Sequence, residues 1–541
     1  MLGNVYFGTG MRWPMRDRNM LDSMELTPYT TTMGGLQGRA LQIAVATIAT
    51  CAFWLFGYDM SVMGGIITGE PFLSVFPETK DANTQGIIIA LLQIGAFIGS
   101  ILCTVYGDRM GRRGTVWIGM GLMIVGGALQ ASASHLSQMG VGRVLSGIGL
   151  GLQVATIPTW QSECAKPHSR GRWVMIEGGL QTTGVACGQW IGYAFFFTSG
   201  QIQWRMPIAI QLIPAMIVFC LIMFLPESPR WLIKQGHIKQ GVYNLCKLRG
   251  LSEDDPALIE ERDSIIATFE AQKGQEPFRY KELFSRNSQS FRRMCLAFFI
   301  QAAQQLSGIN LVSTYANQIL GQSFNLDPEK SHLIAACGGT EYAICSVISV
   351  LLIEGLGRRK AFLWTACGMT ASFIAIPILL SRDDRSLQLA AAGLLFLFNT
   401  FFGLAWVGGP FLYSAEIAPL RSRAQINGIA AGANWIFCFI VVMTIPPSFK
   451  NIGYKTYIIY AVLNATFIPI IYFFLVETKG RSLEEIDVIF AAPGNPVKNE
   501  QKMPHNISIS EGRRILGLDD VALSDSKSSD NADIRVEPEE V

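Results

Sequence analysis

Apolar residues occur in blocks about twenty long, the length an α-helix needs to cross a hydrocarbon core. Twelve blocks qualify, at about 41–66, 86–106, 115–133, 138–160, 173–198, 206–225, 293–320, 332–353, 361–380, 388–414, 425–446 and 455–476. Between the sixth and seventh lies a long polar segment with "PESPRWLIKQG" and "SEDDPALIEERDSIIATFEAQKGQ". Its apolar residues recur at helical spacing among charges, which predicts amphipathic helices on a membrane surface. The start of the chain lacks the apolar core of a signal peptide. The end, rich in Ser, Asp, Asn, Lys and Glu, has the composition of a disordered tail. The pattern predicts an all-α membrane protein. A polar tail over 1–40 precedes a six-helix bundle over 41–226. A linker over 227–292 leads to a second bundle over 293–489 and a disordered tail over 490–541.

Composition agrees with this pattern. Half of the 541 residues are hydrophobic, 16% are charged and 54 are glycine. Gly enrichment is a mark of packed transmembrane helices. A net charge of +2 gives no footing for nucleic acid. The eleven cysteines form no Cys-x-x-Cys pair and no Cys/His cluster, so they read as free thiols with no metal or cofactor role. Lys and Arg concentrate in "GDRMGRRG", "KPHSRGR", "GRRK" and "LRSR", on one side of the predicted topology. That side, both tails and the linker are expected in the cytosol.

The two halves repeat. Gly111-Arg112-Arg113 after the second block is answered by Gly357-Arg358-Arg359 after the eighth. Ser162-Glu163 with Arg170 is answered by Ala415-Glu416 with Arg423, and Pro226-Glu227-Ser228 by Val476-Glu477-Thr478. All three pairs keep an offset of about 250 residues. A duplicated six-helix unit follows, and transporters built this way bind substrate near the midplane between repeats. Asp108, Arg109, Arg112, Arg113, Glu163 and Arg170, with Glu354, Arg358, Arg359, Glu416 and Arg423, are candidates for a gating network of charge-assisted bonds.

Polar residues inside apolar blocks carry the candidate chemistry. Asp59 sits in "FGYDMSVMGG", at a cost of roughly 2.5–3.5 kcal/mol at a helix centre. Arg143, in "GVGRVLSGIGLG", is equally out of place and lies at matching depth. An acid paired with Arg is ionised and an acid released in a low dielectric takes a proton, so the pair can act as a proton switch. In "QAAQQLSGIN", Gln301, Gln304 and Gln305 share one helical face, Gly308 permits a break, and Asn310 follows. Amides both donate and accept, which suits a neutral polyhydroxylated ligand. Asn434-Trp435 and Gln181 are further binding candidates. Gly408-Gly409-Pro410 interrupts the tenth block. Glu177 and Glu341 lie in apolar blocks and are expected to be neutral or to line water.

These residues resemble the sugar porter family of the major facilitator superfamily. The matched pieces run in order over 57–487: "GYD", "GDRMGRR", "GRVLSGIGLG", "PTWQSE…RG", "PESPRWL", "QQLSGIN", "EGLGRRK", "ANW" and "ETKGRSLEEID". "TIPTWQSE", "FNTFFGLAW" and "GRSLEEIDVIFA" are similar to fungal members, glycerol–proton symporters included. The resemblance implies a twelve-helix, non-enzymatic carrier of a sugar or polyol. Gln304, Gln305, Asn310, Asn434 and Trp435 would touch substrate, and Asp59 with Arg143 would couple protons. It further implies a monomeric functional unit in the plasma membrane, driven by the proton gradient and needing no cofactor. An energy-independent facilitator and a nutrient sensor are the alternatives on this fold. Three positions depart from the family. A sugar-binding Gln is replaced by Gly178 beside Glu177, which is expected to stand in for it. Gly403 and Phe411 replace a Glu and a Trp of animal facilitators.

Overall fold

The computed structural model describes residues 35–165, 170–273, 289–324, 326–382, 384–419, 422–504 and 509–516. The apolar blocks become helices. The first half holds α1 (Gly38–Ile66), α2 and α3 (82–110 and 112–131), α4 (Leu136–Cys164), α5 (Arg170–Phe196) and α6 (Ile202–Phe224). The second holds α7 (Gln289–Ser313), α8 (Pro328–Leu356), α9 (Arg358–Leu380), α10 (Arg385–Ile417), α11 (Arg423–Ile452) and α12 (Thr456–Phe474). Among the described residues, nine continuous runs are long and apolar enough to cross a membrane. Two of them, Ala82–Ala131 and Gln425–Phe474, each contain two spans, and α5, diluted by Gln181 and Gln189, completes the expected twelve.

The motif pairs that repeat in the sequence occupy equivalent places. Gly111, between α2 and α3, has φ 79°, and Gly357, between α8 and α9, has φ 90°. A Cβ at either would lie 2.7 or 2.6 Å from a carboxylate oxygen of Glu227 or Glu477. Each carboxylate accepts the amides just after its glycine, those of Arg112 and Arg113 or of Arg358 and Arg359. An acid, buried in Glu227 and half-buried in Glu477, thus pins each hairpin, and only glycine allows it so close.

After α6, helices Pro229–Lys234, Ile238–Arg249 and Pro256–Lys273 share a small core of Ile233, Val242, Leu245, Leu258 and Ile265. Arg249 ties them to α4 by donating to the carbonyls of Cys164 and Ala165. They share a face with the Arg112 and Arg358 hairpins, called here the basic face. Beyond α12, Leu483–Ala491 opens with a Ser482/Glu485 capping box. Arg293 of α7 pairs with Asp487 and lies over the Phe490 ring. Helices Pro496–Lys502 and Ile509–Ile515 fall where composition predicts disorder. The first is held by Arg481, which donates to the Glu500 carboxylate and the Met503 carbonyl, contacts that composition does not display. The rest of that tail, 505–508 and 517–541, lies outside the described residues, as does most of the 1–40 tail. All eleven cysteines are free.

Candidate functional site

Gln181, Gln304, Gln305, Asn310, Asn434 and Trp435 line one pocket at the centre of the molecule, between the halves. The broken helix α7 creates most of it. The run Gln289–Leu306 ends at Ser307-Gly308, where Gly308 has φ +95°, and a new helix starts at Ile309. The break turns Asn310 toward Gln305, which accepts from its Nδ2 at 2.8 Å. Gln305 donates to Asn434 Oδ1 at 3.2 Å, and Asn434 Nδ2 donates to Gln301 at 2.8 Å and to Gln304 at 2.6 Å. The amides therefore satisfy one another across α7 and α11, and a ligand must exchange into that network.

Gln304 has a second task. Its Nε2 donates to the carbonyls of Trp406 and Val407, which are freed where α10 breaks before Gly409. Trp406 is fully buried and donates to Thr365 Oγ1 at 3.0 Å, so its indole is occupied by packing within the second half. Trp435 is buried beside Phe56, with ring centroids 5.8 Å apart. The Glu177 side chain lies outside the described residues. Its neighbour Gly178 faces the α10 break: a Cβ there would lie 3.5 Å from the Gly408 Cα. Backbone thus stands where a glutamine side chain would extend. Glu341 is not in the pocket and accepts hydrogen bonds from Thr400 and Cys345.

Asp59 and Arg143 meet, fully buried, at 3.5 Å. Arg143 donates to the Ile89 carbonyl at 3.0 Å. Among the described residues neither carboxylate oxygen of Asp59 finds a hydrogen-bond donor, so the pair is held by charge and not by a fork of bonds.

The basic-face clusters are duplicates. Arg112 bonds Glu163 at 3.1 Å and Asp108 at 2.8 Å, and Lys234 bonds Asp108 at 2.6 Å. In the second half Arg358 bonds Glu416 at 2.7 Å, and Thr478 donates to Glu416 at 2.6 Å. Arg113 donates to the Leu225 carbonyl and Arg359 to that of Tyr472. Burial pushes the Glu227 carboxyl up, and the Ser228 and Arg113 amides pull against it. Each cluster joins elements of its own half. Arg109 and Glu354 are exposed and make no ion pair among the described residues, and Arg423 donates to the Ala418 carbonyl. The Arg170 side chain lies outside the described residues.

Hydrogen bonds that cross between the halves lie, among the described residues, at the midplane or on the opposite face. Thr182 meets Ser346, Gln189 donates to the Ser313 carbonyl at 2.9 Å, Gln85 donates to Gln318 at 3.0 Å, and Lys450 pairs with Asp81 at 3.4 Å. Phe56, Tyr342 and Gln189 escaped the sequence reading. Phe56 stands one turn before Asp59 and Gln189 two turns after Gln181, a helical spacing that was available.

Residues 44–490 match the family described as sugar (and other) transporter. The chain is 36% identical over 475 residues to the sugar transporter STL1 of Saccharomyces cerevisiae, covering 85% of this chain and 83% of that one. It is 34% identical over 493 residues to the MFS-type transporter oryC of Aspergillus oryzae, covering 89% and 90%. Its fold is similar to that of the proton:xylose symporter XylE bound to 6-bromo-6-deoxy-D-glucose, with a TM-score of 0.69, 22% identity, and coverage of 83% and 99%.

Proposed function

The chain belongs to the sugar transporter family of the major facilitator superfamily, a family of multi-pass membrane carriers and not of enzymes, and from that premise we propose that it moves a neutral sugar or polyol by proton symport with alternating access. The observation that carries this reading is the ring of amides astride the α7 break, facing both halves. Hydroxyls of a sugar can replace amide–amide bonds one for one, at little net cost. Asp59, buried against Arg143 with unmet oxygens, supplies the coupling site. A carboxylate without hydrogen bonds gives up its charge readily once the guanidinium moves away. Cross-half bonds at the midplane and opposite face describe a carrier shut on that face. With the basic face in the cytosol and the plasma membrane as its place, this is the inward-facing side of the cycle. The likeness to the sugar transporter STL1 and to the proton:xylose symporter XylE supports a sugar as cargo and a proton as driving ion.

The test is uptake of radiolabelled glucose, xylose, glycerol, cellobiose and galacturonate in a hexose-uptake-deficient yeast, with and without a protonophore. Accumulation abolished by the protonophore is expected. Uptake that only equilibrates and ignores the protonophore makes this a facilitator. Signalling without uptake makes it a sensor.

A further inference from the structure

A second cavity adjoins the central pocket on the side away from the basic face, between α5, α8, α10 and the later part of α7. Val185, Ser313 and Tyr342 line both spaces. The second is mainly apolar, with Val312, Leu320 and Leu395 in its walls, and two amides interrupt it, Gln189 and Asn399. Gln189 is satisfied, donating to the Ser313 carbonyl and accepting from Asn317. Asn399 is 5% exposed, and its carboxamide oxygen has no hydrogen-bond partner among the described residues. A buried acceptor left unmet is costly, and such groups in folded proteins nearly always find a donor.

We propose that this cavity is an aglycone subsite. A hydroxyaryl glycoside places its sugar among the amides of the central pocket and its ring against the apolar walls, with the ring hydroxyl donating to Asn399. The walls must part to take the ring, because the cavity as it stands has only about 30 Å³ of free space. The inference rests on the sugar reading above. A free sugar offers the side cavity nothing apolar, so the cavity adds affinity only for a glycoside. Val185 and Gln189 come from the first half and the remaining walls from the second, so an occupant ties the halves together in this state. Such a glycoside is bound and not carried, and it blocks uptake of the free sugar.

The experiment uses the full chain in detergent. Binding of D-glucose and D-xylose is titrated against that of the 4-hydroxyphenyl β-glycoside of each. The glycoside of the transported sugar is expected to bind about tenfold or more tightly than the sugar itself, from burial of the ring. Gly338→Val and Ala392→Phe each fill the side cavity. A Cβ at Gly338 lies 3.7 Å from the Phe396 ring and 3.8 Å from Asn399, so a larger side chain takes the ring's place. Both variants are expected to keep the affinity for free sugar and lose the gain. If a free sugar binds but its glycoside binds no tighter, or if the gain survives in a variant that still binds free sugar, the subsite is wrong and the central reading stands. If no free sugar and no glycoside binds, the subsite falls together with glucose and xylose as cargo, and the polyol reading is decided by the uptake panel.

Discussion

At the residue scale, two neighbouring glutamines separate binding from scaffolding. Among the described residues Gln305 bonds only to side chains of the amide ring, whereas Gln304 also holds two carbonyls at the α10 break. Gln305→Ala is expected to raise the half-saturation constant by the worth of one buried hydrogen bond, about 1–3 kcal/mol, with the melting temperature unchanged. Gln304→Ala should weaken binding and also lower the melting temperature, because buried carbonyls lose their donor. Transport kinetics beside thermal unfolding of both variants checks this, and equal melting temperatures would put Gln304 on the ligand alone. For the ion pair, Asp59→Asn should abolish uphill accumulation and spare counterflow exchange, since the neutral amide mimics the protonated acid. Uphill accumulation by that variant would remove Asp59 from the coupling. The amide ring and the Asp59–Arg143 pair were legible in the sequence because polar groups inside apolar runs are conspicuous. The double duty of Gln304 was not legible, because its carbonyl partners lie about a hundred residues away, at a break whose free groups only the fold reveals.

At the element scale, the breaks do the positioning. Gly308 needs its left-handed conformation, and a Cβ there would stand 3.0 Å from both the Phe373 and Tyr460 rings. Gly308→Ala therefore meets strain and a clash together. Its expected outcome is a clear fall in melting temperature with loss of ligand affinity, read by unfolding scans with and without sugar. The helix that continues α7 (Ala316–Gln322) and the turn before it pack closely on α1: a Cβ on Gly64 would come within 1.6 Å of the Thr314 carbonyl oxygen, and one on Gly65 would lie 3.2 Å from Asn317 Nδ2. Gly64→Val cannot keep that approach. The expected result is a carrier held open on the opposite face, measured as a longer distance than in the parent between spin labels at the exposed Glu78 and Asn451, which leave the Asp81–Lys450 pair in place. An unchanged distance would mean that α1 and α7 do not set closure. Helix positions and breaks were readable from apolar blocks and from Gly and Pro. The contact of Gly64 with Thr314 was not, since nothing local marks which glycine meets another helix.

At the scale of the whole molecule, closure is a sum of few and weak cross-half bonds, and one of them responds to pH. The Thr84 amide, with help from Lys450, holds the Asp81 carboxyl below its usual range. The Thr84 amide belongs to the helix that Asp81 caps and acts in the open and closed forms alike, so only the part owed to Lys450 favours closure. That part is present above the ordinary range and fades as pH falls through the lowered value. Acid on the opposite face should therefore loosen the seal, and Asp81→Asn should show the looser state at every pH. Labelling of a cysteine introduced at Gln318, compared at neutral and acid pH, checks it; equal rates in parent and variant would dismiss the latch. The duplication itself was plain in the sequence, yet the halves have specialised. Five of the six amide and indole groups around the ligand come from the second half, and both members of the ion pair from the first. On the proposed symport, fuel and cargo dock on different descendants of one ancestral bundle. The exchange rate between them is set at the seam, by contacts such as Gly64 on Thr314. On that reading, damage there would make a clutch that slips: both ports would stay intact while protons leaked unladen and the gradient ran down without moving cargo.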